Sequence, residues 1–254
     1  MKYDEYKKEF QKLVNYYDYK YRKWEIFTDF CNIFAISLYQ VFANKEELEK
    51  EYFSIIKKYD DVIIKEVFPK MASFLINGLS SSFGDFLGEC FMELDLGSKY
   101  KGQFFTPYHL SKLMAQIVGT NQKQEIETYY EPTCGSSGMI IARADILQEQ
   151  GINYQNKMLV QAVDIDKLCF YMSYIQLTLL HIPAEIIHGN SLNDEIFDKW
   201  YTPAYLMKAY KFNSIINQIE VPLNNVNDEF IETEKETFSY SQEQIKIFER
   251  GSLF

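Results

Sequence analysis

Four short stretches of this 254-residue chain carry residue types that can do chemistry on a polar ligand. The first is Glu131-Pro132-Thr133-Cys134-Gly135-Ser136-Ser137-Gly138-Met139, a run of small residues between an apolar segment and a helical pattern. A small-residue turn between strand and helix lets backbone N–H groups approach a ligand closely and presents the positive helix end. The same composition also makes an ordinary tight connection. The second is Asp164, 33 residues after Glu131, at the end of the next β-type run. A carboxylate there can accept both hydroxyls of a ribose, because open parallel sheets bind ligands beyond the carboxyl ends of their strands. As a lone acid it reads equally as a helix cap, although alternation gives that start to Asp166. The third is Gly189-Asn190-Ser191-Leu192, where a side-chain amide offers the donor and acceptor that an adenine edge requires; an Asn-Ser turn explains it as well. The fourth, upstream, is Gly102-Gln103-Phe104-Phe105-Thr106-Pro107-Tyr108. Pro107 suits a first helical position, and Thr106 can offer its hydroxyl and the free helix N–H groups to a carboxylate.

These residues need a scaffold, and the chain's periodicity describes one. Residues 1 to about 100 read as helical. Apolar residues at Phe27, Phe30, Cys31, Phe34, Leu38 and Val41 keep a helical period, and Asn44 with Glu47 gives a helix-start pattern. Further helices are expected over Lys70–Asn77 and Gly84–Leu94. From Gly102 to about Asn190 the pattern alternates. Strands are expected at Glu127–Glu131, Lys157–Val163 and Glu185–His188, with helices at Met139–Gln148 and Asp166–Leu180. That order predicts a parallel sheet with right-handed crossovers. After about Leu223 come Asp228, Glu229, Glu232, Glu234 and Glu236, then a helical pattern over Gln242–Arg250. This tail is either a solvated linker with a terminal helix or an acidic face for a basic partner.

Composition narrows the classes. A 47% apolar share with only 11 Gly and 6 Pro argues for a packed globular protein rather than disorder. The four cysteines (Cys31, Cys90, Cys134, Cys169) lack CxxC spacing, so core thiols in a reducing cytoplasmic setting are expected, with no metal site. The N-terminus is charged from its start, unlike a signal peptide. The apolar stretch Ile26–Ala43 is broken by Thr28, Asp29, Asn32, Ser37 and Gln40, which predicts a buried helix and no membrane span. A net charge of −10 is unlike a self-sufficient DNA binder, which displaces counterions with basic residues. The aromatics Tyr16, Tyr17, Tyr19, Tyr21 and Trp24, beside Lys20, Arg22 and Lys23, can stack on single-stranded nucleic acid. Helical spacing instead scatters them around a helix, some toward the core.

Taken in order, the four stretches resemble the motifs of gamma-type adenine-N6 DNA methyltransferases, especially the modification subunits of type I restriction systems. Gly102 to Pro107 resembles that family's GQFFTP motif, Glu131 to Met139 its cofactor loop, Asp164 its ribose-binding acid and Gly189-Asn190 its adenine-contacting turn. The resemblance spans residues 84–205, and the helical first hundred residues resemble the N-terminal domain of those subunits. It implies an α/β chain: an all-helical domain over 1–100, a truncated Rossmann-like class I methyltransferase domain over 101–215, and an acidic tail over 216–254. It implies S-adenosylmethionine as cofactor, with Thr106 at the methionine carboxylate and Glu131 and Gly135 at the methionine end. Asp164 would take the ribose and Asn190 the adenine, with Phe105, Pro107, Pro132, Cys134, Ile165 and Ser191 completing the lining. DNA is the implied partner, with a specificity subunit or second methyltransferase subunit supplying much of the grip.

The chain also departs from that family. The catalytic motif is Asn or Asp (rarely Ser), then Pro-Pro and an aromatic that stacks on the flipped-out adenine. The six prolines here, at 69, 107, 132, 183, 203 and 222, are nowhere adjacent. The nearest remnant is Thr202-Pro203-Ala204-Tyr205, 12 residues after Asn190, in which Tyr205 can still stack but Thr202 is a poorer acceptor. Phe197–Tyr201 before it looks too short and charged for a strand, so a turn after a Trp-anchored helix is expected there. Ser137 replaces a customary glycine, which restricts φ > 0 at that position. Two functions stay open at this point: an adenine-N6 methyltransferase dependent on a partner, and an inactive relative that senses the cofactor or decoys a restriction complex.

Overall fold

The computed structural model describes residues 1–96, 104–119 and 125–215, with side chains through residue 209. Met1–Phe212 form one compact unit and Asn213–Phe254 a second. Of the second unit only 213–215 are described, so the acidic segment and the helix expected at 242–250 lie outside the described residues, as do Gly102 and Gln103.

The chain begins with helices α1 (Tyr3–Tyr16), α2 (Lys23–Ala43), α3 (Glu46–Ile56), α4 (Phe68–Ser81) and α5 (Phe86–Glu93). A π-helical turn, Ile63–Val67, leads into α4. Their apolar faces meet in rings packed edge to face: Phe10 lies 5.4 Å from Phe30 and 5.5 Å from Phe86, a geometry that suits the aromatic quadrupole. Helix α2 has the length and apolar content of a membrane span. Here it buries Ile26, Phe27, Phe30, Cys31, Ile33, Ala35 and Ile36 in the protein. Trp24 also packs on Phe91, whereas Tyr16 and Tyr19 stay exposed.

Asn44 does not start α3. It closes α2 in the left-handed conformation (φ 45°, ψ 46°), and Lys45 takes the N-cap without a side-chain bond. Asparagine tolerates that conformation, so the residue type suits a helix end as well as a helix start.

Helix α6 (Tyr108–Val118) precedes the sheet. The sheet then alternates with helices: β1 (Glu127–Glu131), α7 (Gly138–Glu149), the single turn α8 (Tyr154–Lys157), β2 (Met158–Asp164), α9 (Lys167–Leu179) and β3 (Ala184–Asn190). Strands β1, β2 and β3 are parallel and lie in that order. Asp166 begins α9 by accepting from the Leu168 and Cys169 amides, as alternation predicted. The fold is thus a helical region followed by a mixed α/β sheet, and one hydrophobic core runs from Phe10 in α1 to Ile186 in β3.

Residues 195–201 are not a turn after a helix. They form strand β4 (Glu195–Tyr201), antiparallel to β3, and helix α10 (Pro203–Ile215) follows. Only Trp200 of this strand is buried; Glu195, Ile196 and Phe197 are exposed, which hid the alternation. The Trp200 indole stacks on Tyr39 of α2 at 4.1 Å with planes 5° apart, and sits 4.9 Å from both Phe170 and Tyr174 of α9. It therefore ties the added strand to both the helical region and the sheet. Replacing Trp200 by Ala should destabilise the protein by about 3–5 kcal/mol. A urea melt followed by far-UV circular dichroism measures this, and a midpoint within error of wild type would show that the ring is not a core anchor.

Candidate functional site

The carboxyl edge of β1, β2 and β3 carries the residues with chemistry. After Glu131 the chain turns through Pro132 to Ser137 and enters α7 at Gly138. Making this turn needs left-handed backbone twice, at Gly135 (φ 54°) and Ser137 (φ 74°). A Cβ at Gly135 would also meet the Phe105 ring at 2.9 Å, so only glycine fits both the angle and the space. The Cys134 N–H donates to the Val163 carbonyl at 2.8 Å, and the Gly135 N–H donates to Asp164 Oδ2 at 2.9 Å. Asp164 Oδ1 accepts from the Asp166 N–H at 2.8 Å. Each oxygen thus holds one backbone amide and retains a lone pair for another donor.

Phe105 reaches this turn because α6 is fastened to α7. The Tyr108 hydroxyl donates to Asp145 at 2.9 Å, and Lys112 pairs with Asp145 and Glu149, each at 2.7 Å. Arg143 of α7 in turn grips Glu127 at the start of β1 with two bonds of 2.7 Å. Phe105 packs on Phe91 of α5, while Thr106 and Pro107 are exposed beside it. Pro107 is the N-cap rather than the first helical residue, a shift of one position.

The expected residues therefore fall into distinct sets. Phe105, Gly135 and Asp164 are in direct register. Glu131 and Pro132 open the turn, and Thr106 and Pro107 adjoin Phe105. Ile165, 61% exposed, offers an apolar surface next to Asp164. Cys134 points the other way: its thiol is buried 3.3 Å from the Ser173 hydroxyl, and burial pushes it up to about 12. Only its backbone belongs to the edge. Asn190 ends β3, and its side-chain oxygen accepts from the Leu192 N–H at 3.0 Å, the local turn that was the alternative reading. Ser191 follows, half-buried. Burial raises the carboxyls of both Asp164 and Glu131 above their ordinary range.

Thr202, Pro203 and Tyr205 stand elsewhere, contrary to what their spacing after Asn190 suggested. Because β4 runs antiparallel, its end lies at the amino edge of β3, where Thr202 N–H bonds to Ala184 O at 2.9 Å. Strand β3 spans seven residues from Ala184 to Asn190, six steps along the strand, so the two edges are roughly 20 Å apart. The Thr202 side chain is fully buried; it donates to Ile182 O and accepts from the Ala184 and Tyr205 amides. That is the work of a helix cap. Tyr205 stacks on Tyr201.

The sequence did not reveal two contributors. His188 pairs in register with Asp164, and its Nε2 lies 3.2 Å from the Ile165 carbonyl. Asp85 supports the turn from beneath, as described below. The first needed the strand register; the second is a contact between segments 51 residues apart.

A parallel sheet with a left-handed glycine turn and a strand-end aspartate at its carboxyl edge has the layout by which open α/β folds hold nucleotides and nucleosides. The chain belongs to the N-6 DNA methylase family, whose model matches residues 83–250. No curated protein matches it. Among solved structures, one from Listeria monocytogenes assigned as a class I S-adenosylmethionine-dependent methyltransferase is 14% identical, with a TM-score of 0.43 over 77% of this chain and 56% of that one. The type I restriction-modification system methyltransferase subunit from Streptococcus thermophilus is 14% identical, with a TM-score of 0.39 over 76% of this chain and 59% of that one. The chain thus spans less than two thirds of either structure, and the family match alone carries the assignment.

The turn sets up a test of its own strain. Ser137→Gly should stabilise the protein by about 1 kcal/mol, since a left-handed non-glycine residue costs about that much. Gly135→Ala should destabilise by more than about 1 kcal/mol, because Phe105 must also move. Thermal melts of the two variants should therefore shift in opposite directions; a shared direction would contradict the assigned backbone.

Proposed function

We propose that this chain binds S-adenosylmethionine at the carboxyl edge of β1–β3 and serves as the cofactor-binding part of a restriction-modification type adenine-N6 DNA methyltransferase. The observation that carries this reading is the Asp164 carboxylate, fixed by the Gly135 and Asp166 amides at the strand end with Phe105 against the glycine. The residues fit the cofactor. Asp164 would accept the ribose hydroxyls, Ile165 would lie against the adenine, and Asn190 would meet its edge. Glu131, Pro132, the Cys134 and Gly135 backbone, Phe105, Thr106 and Pro107 would surround the methionine end, with Ser191 beside Asn190. When bound, the cofactor supplies a methyl group on a sulfonium. The chain's own part is to orient that group and exclude water.

The acceptor-holding motif comes from a partner polypeptide in this reading. Thr202, Pro203 and Tyr205 lie at the wrong edge, and the −10 net charge leaves much of the DNA grip to that partner. The same two facts favour a second reading, in which the chain is an inactive cofactor sensor or a decoy within a restriction complex. Adding the modification-complex partners and measuring methyl transfer to DNA separates the two.

Isothermal titration calorimetry with S-adenosylmethionine tests the shared premise. We expect micromolar-range affinity, a loss of at least about tenfold in Asp164→Ala for a lost charge-assisted bond, and wild-type affinity in Thr202→Ala. Unchanged affinity in Asp164→Ala would remove the pocket assignment. The affinity should also weaken on acidification at a pH above the ordinary aspartate range. Burial raises Asp164 and Glu131, and the protonated acid no longer accepts from two hydroxyls. Titrations across mildly acidic pH check this, and a flat profile would contradict it.

A further inference from the structure

Beneath the turn lies a polar cluster that the binding edge does not use. Asp85 is only 2% exposed, and burial raises its carboxyl above the ordinary range. As the N-cap of α5 it needs one bond, from the Gly88 N–H to Oδ1 at 3.1 Å. It makes two more. Gln176 Nε2 of α9 donates to Oδ1 at 2.9 Å, and the Ser136 hydroxyl donates to Oδ2 at 2.6 Å. The same Gln176 amide donates to the Ser136 carbonyl at 2.7 Å, and its oxygen accepts from the Leu87 N–H at 3.0 Å. The Ser173 hydroxyl holds the Gly135 carbonyl at 2.8 Å. Side chains of α5 and α9 thus grip both carbonyls and the serine hydroxyl of the turn from below, while Asp164 takes the Gly135 amide.

The surroundings are shaped around this carboxylate. A Cβ at Gly88 would come within 2.1 Å of Asp85 Oδ2 and 2.3 Å of Ser136 Oγ, and one at Gly138 within 2.8 Å of the same Oδ2. Two glycines on different helices therefore leave room for one acid. A cap alone explains neither the bond to Ser136 nor the space at Gly138.

We propose that Asp85 is a positioning residue that holds the Cys134–Gly138 turn in its ligand-receiving conformation, so that the helical region governs affinity at the sheet edge. For its ligand this rests on the cofactor reading above. Ser136→Ala cuts the turn from Asp85 but leaves the cap and Gln176 in place. Asp85→Ala removes all three bonds. Asp85→Asn preserves the shape, and the Ser136 hydroxyl can accept from the new amide.

The experiment measures backbone amide exchange of residues 134–139 in the ligand-free protein, and S-adenosylmethionine affinity by calorimetry, at a temperature where every variant is folded. Ser136→Ala and Asp85→Ala should speed exchange in the turn and weaken affinity, each about tenfold for a buried bond to a carboxylate. Asp85→Asn should recover to within about threefold, since it restores the neutral form of that bond. Trp200→Phe, destabilised in the core where the ring packs on Tyr39, Phe170 and Tyr174, controls for stability and should bind as wild type. Wild-type exchange and affinity in Ser136→Ala would overturn the proposal. If the wild-type protein binds no S-adenosylmethionine, the cofactor reading fails while the exchange data still decide the role of Asp85.

Discussion

Everything at the carboxyl edge of the sheet depends on one reversal of the chain between Glu131 and Gly138. Strand β1 must pass into α7 within a few residues, and left-handed backbone at positions 135 and 137 achieves it. One of those positions is a serine, so the conformation is held against its own steric preference. The Asp164 carboxylate at the strand end, with Asp85, Gln176 and Ser173 on the buried side, provides the holding. Strain retained at a site of this kind implies surroundings that over-determine it.

The parallel half of the fold was legible in the sequence because its signals are local. Glu127–Glu131 was bounded to the residue, since an apolar run and a small-residue turn delimit it. Asp164 and Asp166 were told apart by alternation, the first facing the edge and the second capping α9. Strand β4 was not legible. Three of its residues are exposed and two more carry charge, so its single buried ring, Trp200, read as a helix anchor. Its direction is a property of the sheet, and with it went the placement of Thr202 and Tyr205. Asp85 escaped for a similar reason. Nothing near it in sequence says that Ser136 and Gln176 will meet it.

The two ends of the sheet therefore have different characters. The carboxyl edge gathers the half-buried acids Glu131 and Asp164. The amino edge is closed: the Thr202 hydroxyl is satisfied three times, and Lys208 of α10 bonds the carbonyls of Asn156 and Met158. An antiparallel strand with a capped helix makes a sound boundary for a sheet.

Cys134 gives the turn an internal reporter. Its sulfur sits beneath the turn, 7% exposed, and shares a contact with Ser173. A thiol so enclosed, with its proton held tightly by burial, is inert toward alkylating reagents and peroxide while the turn is shut. The other three cysteines are buried in the core as well. Reaction at Cys134 ahead of the others therefore times the local opening of the turn against the unfolding of the whole, using chemistry the protein already carries.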